Sequence, residues 1–164
     1  MRARLEDDAI NVYNEQKLLI GSIKTTSNFK NTEIKIGEKI FQLSRNKWET
    51  KIVEDDQVIY HLKMNSFSRN ITILETHQKI TGVFGFKFGT KLIDKESNTL
   101  VKVRNENQFV NKNTYEIEIA NDKTTNLDIL TTIYGHLYGS NNKQLKSVIL
   151  GAVIATIIIR NLYL

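Results

Sequence analysis

The chain contains no cysteine and no proline. The absence of cysteine excludes a disulfide framework, a zinc knuckle and a thiol nucleophile, and it permits a cytosolic home. The absence of proline removes one common strand terminator and leaves Gly and Asn to make the turns. The first sixteen residues hold Arg2 and Arg4 but no apolar run behind them, so they do not read as a secretory signal. Without a secretory route the Asn70-Ile71-Thr72 sequon stays idle.

What remains is ordinary globular material. The 164 residues are 40% hydrophobic and 25% charged, a balance that fits one domain with a sizeable core over 1–164. A net charge of +5 and a pI near 9.3 favour weak attraction to anionic surfaces. A lysine surplus in an Asn/Lys/Ile-rich chain produces the same excess, and no specific nucleic-acid partner is expected.

From about residue 10 to 120 the chain alternates apolar and polar residues in short runs, the period-2 mark of half-buried strands. Leu18, Ile20 and Ile23 begin the series, followed by Ile34 with Ile36, and by Phe41 with Leu43. Trp48 and Ile52 share a parity, and Val58, Tyr60, Leu62 and Met64 give the cleanest alternation. Ile71 and Ile73 come next, then Ile80, Phe84, Phe86 and Phe88, then Val101 and Val103, and last Tyr115, Ile117 and Ile119. Turns are expected at 28–32, Gly37-Glu38, Arg45-Asn46, Asp55-Asp56, 65–70, 96–98 and 111–113. No strand-helix alternation indicates a parallel sheet. The pattern is that of a mainly β domain, a sandwich or a barrel, and the need to enclose an apolar C-terminal helix favours the barrel, antiparallel, closed and of about twelve strands.

The period changes near Asn121. Thr125 and its neighbours can cap a helix over about 125–138, in which Leu127, Leu130, Tyr134 and Leu137 recur at helical spacing. A second segment, about 145–160, carries no charge between Lys146 and Arg160. Its β-branched residues suit a strand, but its unbroken length favours a helix. That length matches a buried core helix, and with Lys146 and Arg160 snorkelling it reaches a marginal membrane span. Read as a core helix, it is the hydrophobic rod in the barrel's bore, with Val148, Ile149, Val153, Ile154, Ile157 and Ile158 as its packing residues. Read as a membrane segment, 145–164 anchors the chain by its tail.

The strand series from Leu18 to Ile119, the strand from Thr114 to Ile119 that leads into a helix, and the apolar run at 148–159 together resemble the tubby C-terminal superfamily, in particular its phospholipid scramblase and LURP-one-related branches. The resemblance covers nearly the whole chain through the order of its elements. It implies a twelve-stranded barrel threaded by a hydrophobic C-terminal helix. It also implies a non-enzymatic binding module without a cofactor, cytoplasmic or peripheral to a membrane, that recognises anionic phospholipid headgroups or a protein partner. Lipid scrambling is the activity associated with one branch, but the cysteine-rich and proline-rich segments of that branch are missing here.

Members of this superfamily bind headgroups through cations on neighbouring strands. The parity of 80–88 turns Lys79 and Lys87 outward, and that of Val101 and Val103 does the same for Lys102 and Arg104. With Lys91 these form a candidate anion patch, against the plainer reading of a solvated barrel face. Glu54, Asp55 and Asp56 lack calcium-loop spacing and read as a turn. Gly82, Gly85 and Gly89 do not fit a phosphate loop and mark bulges or a close backbone approach. His61, His77 and His136 have no ligand spacing, and Ser22, Ser44, Ser66 and Ser68 no nucleophile context, so no catalytic or metal residue is assigned.

Overall fold

The structure is a computed structural model that describes residues 1–26, 29–83, 89–107 and 111–139. Its strands are β1 (Arg2–Glu6), β2 (Ala9–Tyr13), β3 (Leu19–Thr25), β4 (Asn31–Ile36), β5 (Lys39–Asn46) and β6 (Glu49–Glu54). They continue as β7 (Gln57–Met64), β8 (Ile71–Ile73), β9 (Lys79–Val83), β10 (Gly89–Ile93), β11 (Thr99–Asn107) and β12 (Asn111–Ile119). Each strand pairs antiparallel with the next, and β1 closes the circle on β12, with Ala3 opposite Tyr115. Closure leaves no sheet edge to pair with another chain. The expected twelve-stranded closed barrel is the fold.

The alternation seen in sequence sets the two faces. Ile34, Leu43, Ile52, Leu62, Ile73, Ile80, Leu92, Val101 and Val103 point inward and are buried. Their pairing keeps apolar residues opposite apolar ones, as in Leu43↔Ile52, Leu62↔Ile73 and Ile71↔Ile80. A slip of one residue would turn such a row to solvent, so the core fixes the register.

After β12 the chain turns back and forms α1 (126–139), the one helix among the described residues. A capping box starts it. The Thr125 hydroxyl accepts from the Asp128 N–H at 3.1 Å, and the Asp128 carboxylate accepts from the Thr125 N–H at 3.0 Å. Residues 127–138 are all buried, on every side of the helix. Partners come from round the barrel. Thr50 of β6 meets Tyr134, Tyr60 of β7 meets Asp128, and Thr90 of β10 and Asn105 of β11 meet His136. A Cβ on Gly135 would lie 3.1 Å from Ile80 of β9 and 3.4 Å from Ile71 of β8. On the far side a Cβ on Gly21 of β3 would lie 2.7 Å from Leu130, which is why glycine stands there. α1 therefore fills the bore.

The arrangement corrects some expectations and leaves others outside the described residues. The helix near 125–138, read as accessory, is enclosed by the strands. The proposed central helix at about 145–160, with Val148, Ile149, Val153, Ile154, Ile157 and Ile158, lies outside the described residues, as do Phe84, Phe86, Lys87 and Phe88. The strands begin at Arg2 rather than near residue 10. The segment expected as a turn at 111–113 opens β12. Val58, taken as inward, is 49% exposed, because a bulge between Ile52 and Val53 shifts the pairing at that end of β7. Turns rely less on Gly than the missing proline implied. Among the described residues Gly37 is the one glycine with positive φ, while Asp7, Lys17, Phe29, Lys47, Asp55, Asp56, Arg69, His77 and Ser97 also take left-handed backbone. Asp and Asn adopt that region at lower cost than most residues, whereas Lys and Phe need the sheet to hold them there.

If α1 is the stuffing of the barrel, truncating it must be costly. Ile133→Ala should destabilise the domain by about 2–5 kcal/mol, because Ile133 is fully enclosed and the surrounding strands cannot collapse onto the gap. The check is a urea titration, in which the midpoint falls while the slope stays unchanged.

Candidate functional site

The cations assigned to the anion patch occupy the outer wall of β9–β11. Lys79, Lys102 and Arg104 are exposed and Lys91 is half-buried, while Lys87 lies outside the described residues. The sheet sets Lys91 directly opposite Lys102, and on β9 its partner is Thr81. Lys79 lies farther along, opposite Ile93. Arg104 sits between Gly89 of β10 and Glu116 of β12. A Cβ on Gly89 would lie 2.7 Å from the Val103 carbonyl oxygen, so its glycine marks the close backbone approach expected of this segment.

The parity argument did not reveal the neighbours on β12 and β1. Lys102 donates to Glu118 at 3.0 Å, and the Arg104 guanidinium donates to Glu116 through Nε at 2.6 Å. Arg2 of β1 pairs with Glu106 at 3.3 Å. These carboxylates relieve the repulsion between Lys91 and Lys102 across the strands. The pairs are substantially exposed, so each is worth about 0–1 kcal/mol. An open groove of about 670 Å³ runs over this wall, with Arg2, Lys102, Arg104, Glu116 and Glu118 along it. Any anion entering it must compete with carboxylates already in place, so the wall is a zipper of alternating charge rather than a row of bare cations.

The bore carries polar chemistry of a different kind. His136 lies between Thr90, 2.9 Å from Nδ1, and Asn105, 2.9 Å from Nε2. Tyr115 packs edge-on against the ring. The Tyr60 hydroxyl donates to Asp128 at 3.0 Å. Thr132 donates to the Asp128 carbonyl at 2.7 Å. These groups satisfy one another. At the end where Tyr134 and Tyr138 approach Arg45 and Trp48, the free space is about 10 Å³, at the lower limit for a single water. His61 approaches Glu49 at 3.5 Å on the outer face, and His77 occupies a turn. No group of three or more His, Asp or Glu residues among the described residues could hold a metal ion.

Sequence reasoning missed one feature, the rim where α1 ends. Trp48, assigned an inward parity, lies in the turn just before β6 and is 45% exposed. Phe67, singled out by no pattern, is 97% exposed between β7 and β8. Its signal was a lone aromatic in an otherwise polar turn. Beneath the rim, Arg45 donates to the Tyr138 hydroxyl at 2.8 Å, with its guanidinium 4.6 Å from the ring centre. Phe29 packs edge-on against Tyr134 and Tyr138. That contact fixes the C-terminal end of α1 to the β3–β4 and β5–β6 connections.

The arrangement defines a class, a closed antiparallel barrel filled by its own helix. No family model, curated protein or solved structure matches the chain.

Burial holds the hydroxyls of Tyr60, Tyr115 and Tyr134 above the usual tyrosine range, and at Tyr60 the charge of Asp128 adds to the effect. A raised pKa in the folded state means the unfolded chain releases these protons first. The stabilisation is complete below about pH 10 and is lost as the pH rises beyond it. The midpoints of thermal melts should therefore fall steadily as the pH rises above about 10.

Proposed function

We propose that this protein is a non-enzymatic binding module of the tubby-like kind, held at a membrane by its 145–164 segment. One observation carries the reading: α1 already occupies the bore. The apolar run at 148–159 is thereby released from the role of core helix that it could have played. Thirteen consecutive uncharged residues, 147–159, flanked by Lys146 and Arg160, need another dry environment. A bilayer supplies one, because snorkelling flanks extend a run of this length toward a span. α1 is not such a segment, since no helix among the described residues is long and apolar enough to cross a membrane.

The filled interior also bears on what kind of module this is. Barrels that carry a small ligand keep a cavity for it, whereas this bore is packed with side chains. Recognition then belongs to the outer wall and the rims. The mild positive charge favours anionic phospholipid headgroups as the partner chemistry. The twelve strands closed around a helix support the resemblance to the tubby C-terminal superfamily.

Val153→Arg tests the attachment. A charge at the centre of a membrane helix costs about 2.5–3.5 kcal/mol on insertion scales. The wild-type chain should stay with membranes through an alkaline carbonate wash. The variant should shift to the supernatant while its barrel melts at the wild-type temperature. A variant that fails to fold would show that Val153 belongs to the protein core, and the reading would be abandoned.

A further inference from the structure

The described residues at the two ends of the barrel differ in charge and in aromatic content. α1 runs from the end where β12 finishes to the end that holds the β1–β2, β3–β4, β5–β6 and β7–β8 connections. Tyr138 fixes the direction, since it lies against Arg45 and Phe29 at that second end. The described residues of those four connections carry three bases, Lys30, Lys47 and Arg69, and two acids, Asp7 and Asp8. Asp8 is already paired with Lys24. The connections at the first end, the β12–α1 link included, carry eight acids, Asp55, Asp56 and Glu75 among them, and three bases.

The aromatic residues divide in the same way. Trp48 and Phe67 stand exposed at the second end, beside Lys47 and Arg69. Phe67 is held there by a structured turn. The Asn65 side chain accepts from the N–H groups of Phe67 at 2.9 Å and Ser68 at 2.8 Å, and Asn65 and Asn70 join through a backbone bond of 2.8 Å. An exposed Phe on a pinned turn is poised for burial against something outside the chain. The first end exposes aliphatic side chains such as Leu18, Ile40 and Val58, but among acidic turns.

Position along the chain supplies the third strand of the argument. The chain leaves α1 at the second end, and the apolar run begins at Val148, after residues 140–147. Eight residues span at most about 28 Å.

We infer that the rim around the C-terminal end of α1 is a membrane-contact face, seated on an anionic phospholipid bilayer with Trp48 and Phe67 at the headgroup level. Tryptophan and other amphipathic aromatic residues favour that depth, and basic residues beside them meet the negative surface potential. The acidic end then points to the aqueous side. The inference rests on the attachment proposed above and adds an orientation to it.

The composition of the chain supplies the probe. Trp48 is the one tryptophan, and there is no cysteine, so Val58→Cys gives a unique label at the opposite end. The full chain is reconstituted into vesicles of phosphatidylcholine and phosphatidylserine and floated. Trp48 emission should shift to shorter wavelength and be quenched by lipids brominated near the headgroup, while a fluorophore on Val58→Cys remains quenchable by aqueous iodide. Floated protein with unshifted, unquenched Trp48 would overturn the orientation and leave the attachment standing. Lipid quenching at Val58→Cys in place of Trp48 would reverse the orientation. Protein that does not float would remove attachment and orientation together.

Discussion

The packing of α1 against the inner wall is the contact on which everything else rests. A twelve-stranded barrel has a bore too wide for its own strand side chains to fill, and an empty bore would sacrifice dispersion contacts all round. The helix closes that gap. Leu130, Ile133 and Tyr134 supply apolar bulk, and Gly21 and Gly135 bring the backbone of β3 and of the helix close to what they face. Because β1 must pair with β12 for the wall to close, the first and last strands are both required before the helix is enclosed. The core is thus built from contacts distant in sequence, which favours slow, cooperative folding.

Filling the interior has consequences outside it. Among the described residues, the free space left beside α1 near Tyr134 and Tyr138 is about 10 Å³. The outer wall neutralises itself: Lys102 and Arg104 are answered by Glu118 and Glu116, which sit on the adjoining strand. Such a wall resists nonspecific association without offering a concentrated cationic site. The asymmetry between the two rims is what remains, and it gives the barrel a polarity along its axis.

Much of this was legible in the chain. The alternation at Ile71 and Ile73, Val101 and Val103, and Tyr115 and Ile117 pointed to the sheet, and the need to enclose an apolar helix pointed to its closure. β1 and β2 were hidden because Ala3, a small residue, marks the inward face between Arg2 and Arg4. The enclosure of α1 was hidden for a different reason. Hydropathy favours the run at 148–159, whereas α1 carries Asp128, Thr132 and His136 into the core. Those residues are tolerable there because Tyr60, Thr90 and Asn105 reach them from the wall, and partners so distant in sequence leave no mark on a local window. Parity also assigned the outward cations without showing that Glu116 and Glu118 would stand beside them, since pairing partners depend on register.

Amide hydrogen exchange along α1 tests the enclosed helix most directly. If the strands surround it, the amides of residues 130–137 can exchange only when the whole barrel opens, at the rate shown by Ile52 and Leu62 on the wall. Exchange in that segment much faster than at those strand positions would mean that the helix leaves the bore while the sheet stays closed, and the account would be contradicted.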